Sequence, residues 1–441
     1  MKKYIFSFLT SLLCIFSYSQ NYFLAAPEGF AAGTTGGGSA TPVTVSTFAD
    51  LKSNLTSTGA KVILVSGTIT VPINNQISAV ITNKSLIGLP GAKLVNENQT
   101  FTGAGILNLK SGSNNIIIRN LIFVGPGAYD IDGKDNLTAD GATNLWVDHC
   151  EFQDGLDGNF DIKGKSDNVT VSWCKFTYLK PPLAGGSGGS NDHRFSNLVG
   201  SSATDAPSDG HYSITFQNCF WSEGAKERMP RARNAELHIL SSYYKTSVSG
   251  SKAIGLGGGV NNTTCYVENT NFAKIGSVYT NYPGDGGTVA INFVNSLKTP
   301  SNIGTVAAPT YSYTPIPVDK VEMFLTDATC GAGATLQVTA SGIISPSNCT
   351  NLGINTTGAN ATKSIVSRVS DNSLYLYFPV KITGKVTIEI FSMAGQLLKT
   401  LQHNVKASVP VEINIASLKG GFYIFSAQAE KNALSGKFQK K

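Results

Sequence analysis

A short apolar unit recurs along the chain between about residues 80 and 275, and each copy ends close to an Asn, Ser, His or Cys. Successive copies lie 29, 24, 45, 23 and 28 residues apart, so one turn takes about 23 residues or slightly more, and the long interval holds an inserted loop. A repeat in this range is typical of solenoids, in which each coil buries its inner face against its neighbours. The aligned ladder positions are Leu121, Cys150, Cys174, Cys219, Ser242 and Thr270.

The residue types of the repeat favour an all-β solenoid. Its units are built from Val, Ile, Phe and Asn, whereas a leucine-rich repeat of similar period places Leu at fixed spacings. We therefore predict a right-handed parallel β-helix. In such a fold the aligned Cys150, Cys174 and Cys219 are expected to pack as small apolar residues of the core.

The two ends of the chain differ from the repeat. Residues 1–20 combine two early lysines, an apolar run and a small-residue end, which is the layout of a secretory signal. The β-helix domain is predicted over residues 21–340, followed by a linker rich in Asn, Thr, Ser and Gly over 341–362. Alternating apolar and polar residues over 363–441 predict a small antiparallel β-sandwich. No membrane span is predicted after the signal, because no later stretch stays apolar for roughly 18 residues.

Net charge does not identify a partner. The formal charge of +6 is uneven, since Lys2 and Lys3 fall in the predicted signal and residues 366–441 hold ten Lys or Arg against four Asp or Glu. The rest of the chain is therefore close to neutral, and no nucleic-acid partner is predicted.

The cysteines leave one pairing open. Cys330 and Cys349 could close a loop in an exported protein, where thiols can oxidise. No Cys and His set has zinc spacing, so a structural zinc site is not predicted.

Four aspartates fall at matched positions of adjacent coils. Asp132 and Asp135 precede one strand, and Asp157 and Asp161 lie one turn later. Carboxylates that converge at one end of parallel strands offer the hard oxygen ligands that suit calcium. One such aspartate alone would most simply be solvated, but four at matched positions favour a cation site.

A basic run follows further along the solenoid. Arg228, Arg231 and Arg233 surround Pro230, and Lys163 lies two residues after Asp161. Proline favours extended backbone, in which residues of equal parity share a face, so Arg231 and Arg233 are expected to point one way and Arg228 another. By itself such a run is usually a solvated charged face.

Four motifs occur in order along the solenoid: Asn144-Leu145-Trp146-Val147-Asp148-His149, Asp157-Gly158-Asn159-Phe160-Asp161, Asn168-Val169-Thr170-Val171-Ser172 and Arg228-Met229-Pro230-Arg231-Ala232-Arg233. In order and spacing they resemble the pectate lyases, a superfamily of polysaccharide lyases, over about residues 25–340. The C-terminal segment, which ends in a lysine-rich tail, resembles the sorting domain of type IX secretion.

The resemblance implies a calcium site. Asp135, Asp157 and Asp161 match the primary calcium ligands of the family. Asp132 matches a further ligand only if one residue is inserted, because Gly133 occupies the aligned position.

The resemblance also implies roles for the cations. Arg228 matches the catalytic base, Arg233 matches an arginine that holds the substrate, and Lys163 is expected to add positive charge around them and to contact the substrate. One position departs from the pattern. The family usually carries a substrate-binding Lys where this chain has Phe195, and the nearest cation, Arg194, is expected to replace it unless the substrate binds differently.

The resemblance therefore predicts a secreted, monomeric, calcium-dependent pectate lyase that cleaves polygalacturonate by β-elimination and is exported by the type IX machinery. Three alternatives stay open. A pectin lyase would act on methyl-esterified chains without calcium. A hydrolase would use the clustered carboxylates as acid and base, which leaves the three arginines without a role. A sugar-binding β-helix would need no chemistry at all.

Overall fold

The chain forms two compact units, Met1–Leu352 and Gly353–Lys441. The structure is a computed structural model that describes residues 22–347, 365–370, 372–378, 383–392, 396–406, 409–429 and 432–440. The predicted signal segment and most of the predicted linker lie outside the described residues.

The first unit is built almost entirely from short strands. Its described residues also form two α-helices, α1 Phe48–Thr56 and α2 Val318–Leu325, and two 3₁₀ turns at Gly29–Ala31 and Pro283–Asp285. In chain order the strands are β1 Val43–Val45, β2 Lys61–Val65, β3 Thr68–Thr70, β4 Ile77–Ala79, β5 Thr82–Gly88, β6 Lys93–Val95, β7 Leu107–Leu109, β8 Asn114–Arg119, β9 Ile122–Val124, β10 Leu137–Asp140, β11 Thr143–Asp148, β12 Glu151–Gln153, β13 Phe160–Lys163, β14 Asp167–Ser172, β15 Lys175–Thr177, β16 Leu198–Val199, β17 Tyr212–Gln217, β18 Phe220–Trp221, β19 Arg231–Ala232, β20 Ala235–Leu240, β21 Tyr243–Lys245, β22 Lys252–Leu256, β23 Thr263–Glu268, β24 Asn271–Lys274, β25 Ser277–Asn281, β26 Val289–Val294, β27 Gln337–Val338 and β28 Ile344–Ser345.

These strands form three parallel sheets, each of which takes one strand from successive coils. The long sheet has ten strands in the order β1-β2-β5-β8-β11-β14-β17-β20-β23-β26. The site sheet has eight strands, β4-β7-β10-β13-β16-β19-β22-β25, and the third sheet has eight, β3-β6-β9-β12-β15-β18-β21-β24. All pairings within the three sheets are parallel, which confirms the predicted parallel β-helix. Because successive coils contribute strands to three sheets, and a leucine-rich repeat has one strand per repeat, the leucine-rich alternative is excluded. The right-handedness of the β-helix stays a prediction.

The turn between the long sheet and the third sheet explains the ladder seen in the sequence. The residue just before each ladder position has a left-handed backbone, which Asn tolerates better than most side chains. The ladder side chains themselves are buried, and Cys150, Cys174 and Cys219 are free thiols in the core, as predicted. The residues with positive φ are Asn120, His149, Trp173, Asn218, Ser241 and Asn269, with values between 47° and 57°.

A column of aromatic rings runs along the inside of the third sheet. Neighbouring rings stack with centroid distances from 4.5 to 5.5 Å, close to the spacing between hydrogen-bonded strands. Each ring therefore covers the face of the next, and the column resists slippage of one coil against another. Its members are Phe123, Phe152, Phe176, Trp221, Tyr244 and Phe272.

A buried ion network covers the outside of the long sheet. The Arg119 guanidinium donates to Asp148 at 2.8 Å and to the carbonyl oxygen of Leu24 at 2.9 Å. Asp148 also contacts His149 Nδ1 at 2.8 Å and accepts from the Ser172 hydroxyl at 2.5 Å. Asp148 and His149, both within the motif Asn144 to His149, therefore help to fasten the N-terminal segment to the long sheet through Arg119.

The second unit is antiparallel throughout. Its sheets have the orders β29-β30-β33 and β32-β31-β34-β35, and both contribute side chains to one buried cluster that includes Leu374, Val386 and Phe425. The antiparallel prediction is confirmed, and a face-to-face sandwich stays a prediction. The strands are β29 Val366–Ser370, β30 Ser373–Tyr377, β31 Gly384–Ser392, β32 Leu397–Val405, β33 Val411–Asn414, β34 Gly421–Ala429 and β35 Asn432–Lys440.

Two smaller predictions concern the membrane and the cysteines. Among the described residues, none of the helices has the length and apolar character needed to cross a bilayer. Cys330 is disulfide-bonded. Its predicted partner, Cys349, lies outside the described residues.

The aromatic column should depend on each of its rings. Phe176→Ala is expected to lower the free energy of unfolding by about 3–5 kcal/mol, because rigid strands on both sides keep the cavity from closing. Urea unfolding followed by tryptophan fluorescence measures the loss. Phe101→Ala removes an exposed ring and should change stability by no more than about 0.5 kcal/mol. Equal losses in the two variants would contradict the proposed contribution of the column.

The Asp148 network should stabilise the fold in a pH-dependent way. Burial opposes ionisation of Asp148, but His149 and Arg119 outweigh it and hold the pKa of this carboxyl below its ordinary value. Asp148→Asn should therefore cost about 3–5 kcal/mol near neutral pH, because Arg119 loses its buried partner. The contribution is present above the unfolded pKa of about 3.9 and disappears as pH falls through the folded pKa. In thermal melts the gap between wild type and variant should shrink below about pH 4. A gap that is unchanged there would contradict this assignment.

Candidate active site

The site is built on β13 of the site sheet. Asp161 and Lys163 are two residues apart on this strand, so their side chains leave it on the same side. In the parallel register Thr138 of β10 lies beside Asp161. The loop that leads into β10 carries Asp135, and the stacking of two coils thereby brings Asp135 to the same place.

Asp135 and Asp161 are buried around the Lys163 ammonium. Asp135 Oδ2 accepts from the Thr138 hydroxyl at 2.8 Å and lies 3.3 Å from Lys163 Nζ. Asp161 Oδ2 lies 3.9 Å from the same nitrogen, and its Oδ1 accepts from the backbone N–H of Leu198 at 2.9 Å. Asp135 Oδ1 is shielded from solvent and has no hydrogen-bond partner among the residues that the structure describes.

The two buried carboxylates have too little positive charge around them. Burial and the neighbouring Asp135 carboxylate raise the pKa of Asp161 to about 8. Burial also raises the pKa of Asp135, against the opposing effect of Lys163. The Asp135 charge in turn raises the pKa of Lys163 well above its ordinary range. The two carboxylates, with one ammonium between them, would be stabilised by binding a further cation.

The backbone leaves room for that cation at Gly158. A Cβ at Gly158 would lie 2.9 Å from Asp135 Oδ1 and 2.9 Å from Asp161 Oδ1, so a side chain there would intrude on both oxygens. The absence of a side chain keeps the space beside the two oxygens open. Carboxylate oxygens, one of them without a partner, form a donor set that fits a hard cation such as calcium.

Asp157 joins this group from the loop before β13. Burial alone would raise the pKa of Asp157, but contact with His193 and the charges of Arg228 and Lys163 hold the pKa below its ordinary value. Its Oδ1 lies 3.0 Å from His193 Nε2. Of the three carboxyls of Asp135, Asp157 and Asp161, that of Asp157 therefore ionises most readily.

Asp132 lies apart from the other three predicted ligands. Its side chain is exposed, its backbone is left-handed, and none of the contacts among the described residues links it to Asp135, Asp157 or Asp161. The loop turns here so that Asp132 faces solvent. Asp130, two residues earlier in the same loop, is buried like Asp135, and its Oδ1 lies 3.2 Å from His193 Nδ1.

Arg228 approaches the carboxylates without pairing with any of them. Its charge lowers the pKa values of both Asp157 and Asp161, yet its half-buried guanidinium makes no ion pair or hydrogen bond within the described chain. Its carbon Cζ lies 4.6 Å from the centre of the Phe195 ring. Its backbone φ is 56°, a conformation that is uncommon for long side chains and concentrates at functional sites.

The other two arginines of the run share one carboxylate. Arg231 Nη2 donates to Asp285 Oδ2 at 2.7 Å, and Arg233 Nε lies 3.0 Å from the same oxygen. Arg233 also donates to the carbonyl oxygen of Gly200 at 2.8 Å. Arg231 and Arg233 therefore point to one place and Arg228 to another, which is the division that proline and residue parity predicted.

Arg194 is engaged away from the carboxylate group. Its Nε and Nη2 atoms donate to the two oxygens of Asp192 at 2.7 and 2.6 Å, and Lys226 lies 3.4 Å from the same carboxylate. A substrate contact by Arg194 would have to compete with this bidentate pair. Arg194, which we expected to replace the missing lysine, is therefore already paired within the described chain.

Comparisons with known proteins agree with this geometry. The family model for pectate lyase matches residues 1–333. The chain belongs to the pectate lyase family. Residues 371–441 match the model for a secretion system C-terminal sorting domain, which indicates a secreted or cell-surface protein.

The relatives are pectate-cleaving enzymes by name. A pectate trisaccharide-lyase of Thermotoga sp. (strain RQ2) is 34% identical over 246 residues, covering 51% of this chain and 60% of the relative. One from Bacillus licheniformis is 32% identical over 311 residues, covering 67% of this chain and 83% of the relative. The chain thus spans only about 60% of the length of the Thermotoga relative. A solved Bacillus subtilis pectate lyase mutant shares the fold, with a TM-score of 0.53 at 19% identity over 71% of this chain and 98% of that one.

Sequence reasoning missed three residues of this pectate lyase site. Asp130 and His193, with Asp157, offer ligand atoms within 4.8 Å of one another, and Asp285 holds two arginines. His193 lies in the inserted loop and Asp285 in a turn beyond the last motif. Neither His193 nor Asp285 occupies a position of the repeat or lies at a fixed sequence spacing from the residues it contacts. Their contacts are therefore visible only in the folded structure.

Proposed function

We propose that this protein is a calcium-dependent pectate lyase that cleaves α-1,4-linked polygalacturonate by β-elimination and releases 4,5-unsaturated oligogalacturonates. The observation that carries the proposal is the half-buried Arg228 guanidinium, which has no ion pair or hydrogen bond in the described chain and lies beside a group of under-compensated carboxylates. An arginine that stabilised the fold would pair with an acid, as Arg119 does. Family membership and the names of the relatives support the same reaction.

Asp135, Asp157 and Asp161 would hold the calcium ion. The partnerless oxygen of Asp135 and the open space beside Gly158 support this ligand set. Calcium bound to the C6 carboxylate of a galacturonate withdraws charge and makes the C5 proton more acidic. Asp132 is a weaker candidate for a ligand, because its side chain faces solvent.

Arg228 would remove the C5 proton. To accept it the guanidine must be neutral, which goes against the ordinary behaviour of arginine. The bound calcium ion would offset the negative charge of the neighbouring carboxylates and add to the positive charge of Lys163 and Arg231. Burial and the charges of Arg233 and Arg228 lower the pKa of Arg231, so Arg231 lies within electrostatic reach of Arg228.

Bond changes in this reaction balance without water. The electron pair of the C5–H bond forms a C4–C5 double bond, the C4–O bond breaks, and the departing oxygen takes a proton from solvent.

Arg233 would hold a substrate carboxylate by exchanging its contact with Asp285 for a contact with the sugar, and Lys163 would add positive charge at the same site. The C-terminal unit would deliver the enzyme to the type IX secretion machinery.

One assay separates the proposal from its alternatives. Wild-type protein incubated with polygalacturonate should produce ultraviolet absorbance from the unsaturated product, and a chelator should abolish it. Reducing ends without absorbance would indicate a hydrolase, and chelator-resistant activity only on esterified pectin would indicate a pectin lyase. The absence of any product would leave a sugar-binding protein.

Replacing the base should remove most of the rate. Arg228→Lys is expected to lower kcat by about 10²–10⁴-fold, because the ammonium cannot reach or receive the C5 proton in the same geometry. Calcium binding, measured by calorimetry, should stay close to that of the wild type. A variant with full activity would contradict the assignment of Arg228 and leave the family membership intact.

The space at Gly158 allows the calcium site to be tested separately. Gly158→Ala should weaken calcium binding by roughly tenfold or more, since its methyl group would intrude on the Asp135 and Asp161 oxygens. Gly284→Ala is the matched control, because a methyl group there meets open space. Isothermal titration with calcium measures both variants. Equal affinities would argue that the ion binds elsewhere.

A further inference from the structure

Arg228 differs from every other arginine of the solenoid in what holds its guanidinium. Arg119, Arg194, Arg231 and Arg233 each contact an aspartate within 3.0 Å. Arg228 contacts no carboxylate in the described chain, and its guanidinium instead lies over the ring of Phe195, with Cζ 4.6 Å from the ring centre. An aromatic face attracts a cation without forming a hydrogen bond to it.

The backbone fixes this ring beside Arg228. Phe195 forms a parallel β-bridge with Glu227, and the N–H of Asn197 donates to the carbonyl oxygen of Arg228 at 2.6 Å. The Tyr178 hydroxyl donates to the carbonyl oxygen of Phe195 at 2.5 Å. These bonds connect neighbouring coils and hold the backbone of Phe195 next to the backbone of the Arg228 segment.

His193 makes a second contact with the ring. The imidazole of His193 packs on Phe195 with a centroid distance of 4.0 Å, and the same imidazole lies 3.0 Å from Asp157. Phe195 therefore contacts both the guanidinium of Arg228 and a side chain that contacts a carboxylate of the site. The half-buried ring is thus already packed against two side chains of the protein.

An aromatic platform suits an arginine that must give and take a proton. A carboxylate partner would hold the guanidinium in its charged form and occupy its nitrogens. A phenyl ring orients the group and keeps water from one face, and it leaves all the nitrogens open towards the substrate. A lysine at residue 195 would offer the guanidinium no ring on which to pack.

We propose that Phe195 is the positioning residue of Arg228, and that it acts through the orientation of the guanidinium rather than by contacting the substrate. This inference rests on the proposed function of Arg228 as the base. It implies that the substrate contact usually made by lysine is absent here, and that residue 195 affects the rate of the chemical step more than the affinity for pectate.

Three variants at residue 195 test the inference by kinetics. Phe195→Leu should lower kcat about 10-fold to 100-fold with KM within about threefold, because a misdirected base slows only the chemical step. Phe195→Tyr keeps the aromatic face and should retain kcat within about threefold. Phe195→Lys should lower kcat at least as far as Phe195→Leu. Phe324→Leu, on α2 against the third sheet, is the control and should match the wild type.

The outcomes distinguish positioning from substrate binding. A Phe195→Leu variant with unchanged kcat and raised KM, or a Phe195→Lys variant with improved KM and kcat, would show that residue 195 contacts the substrate and would overturn the inference. Thermal melts of each variant identify any loss of folding, so a lower kcat in Phe195→Leu with an unchanged melting temperature does not come from a structural defect.

Crystal structures make the inference independent of the reaction. The Arg228 guanidinium should keep its place in Phe195→Tyr and should move or lose order in Phe195→Leu. An unchanged guanidinium in Phe195→Leu would overturn the positioning role even if the wild type proved inactive on pectate. Absence of the unsaturated product from wild type, with the guanidinium displaced in Phe195→Leu, would contradict the proposed function alone.

Discussion

The in-register parallel pairing of successive coils is the constraint on which the rest of this structure depends. No single turn of the chain contains a site. Asp135 comes from the loop before β10, Asp161 from β13 and Arg228 from the segment before β19. The hydrogen bonds between coils bring these residues together near the amino-terminal ends of the strands of the site sheet. The stacked rings of the third sheet and the left-handed turns before each ladder residue hold this register. A slip of one residue would turn every side chain to the opposite face.

The site that results is deficient in positive charge. Burial keeps Asp135 and Asp161 close together with Lys163 as their nearest cation, and the raised pKa values of both carboxyls express the cost of that arrangement. Arg228 is near enough to act on these charges and yet pairs with none of them in the described structure. A calcium ion would relieve the repulsion between the carboxylates and would add to the positive charge that opposes protonation of Arg228. Binding of the ion and activation of the base would then be one electrostatic event.

Much of this could be predicted from the sequence, because it repeats or keeps fixed spacing. The ladder from Leu121 to Thr270 predicted the solenoid, and the Asp157 and Asp161 pair one turn after Asp135 predicted a group of acids that the structure does bring together. Asp132 was the weakest member of that prediction, since it needed an inserted residue, and a left-handed turn exposes it to solvent while Asp130 is buried. Arg194 was chosen for being the nearest cation in the sequence, but proximity along the chain says nothing of Asp192, which it binds. The contacts of His193, Phe195 and Asp285 depend on how an inserted loop and a late turn fold back, and no periodicity encodes them.

The central claim is that a calcium site and the Arg228 base act on the same sugar. A crystal structure of the Arg228→Lys variant with calcium and an oligogalacturonate tests it most directly. The account predicts an ion bound by Asp135, Asp157 and Asp161 that also contacts a C6 carboxylate of the sugar, with the C5 hydrogen of that sugar facing residue 228. An ion bound by Asp130 and His193 instead, or a sugar whose C5 faces away from residue 228, would contradict it.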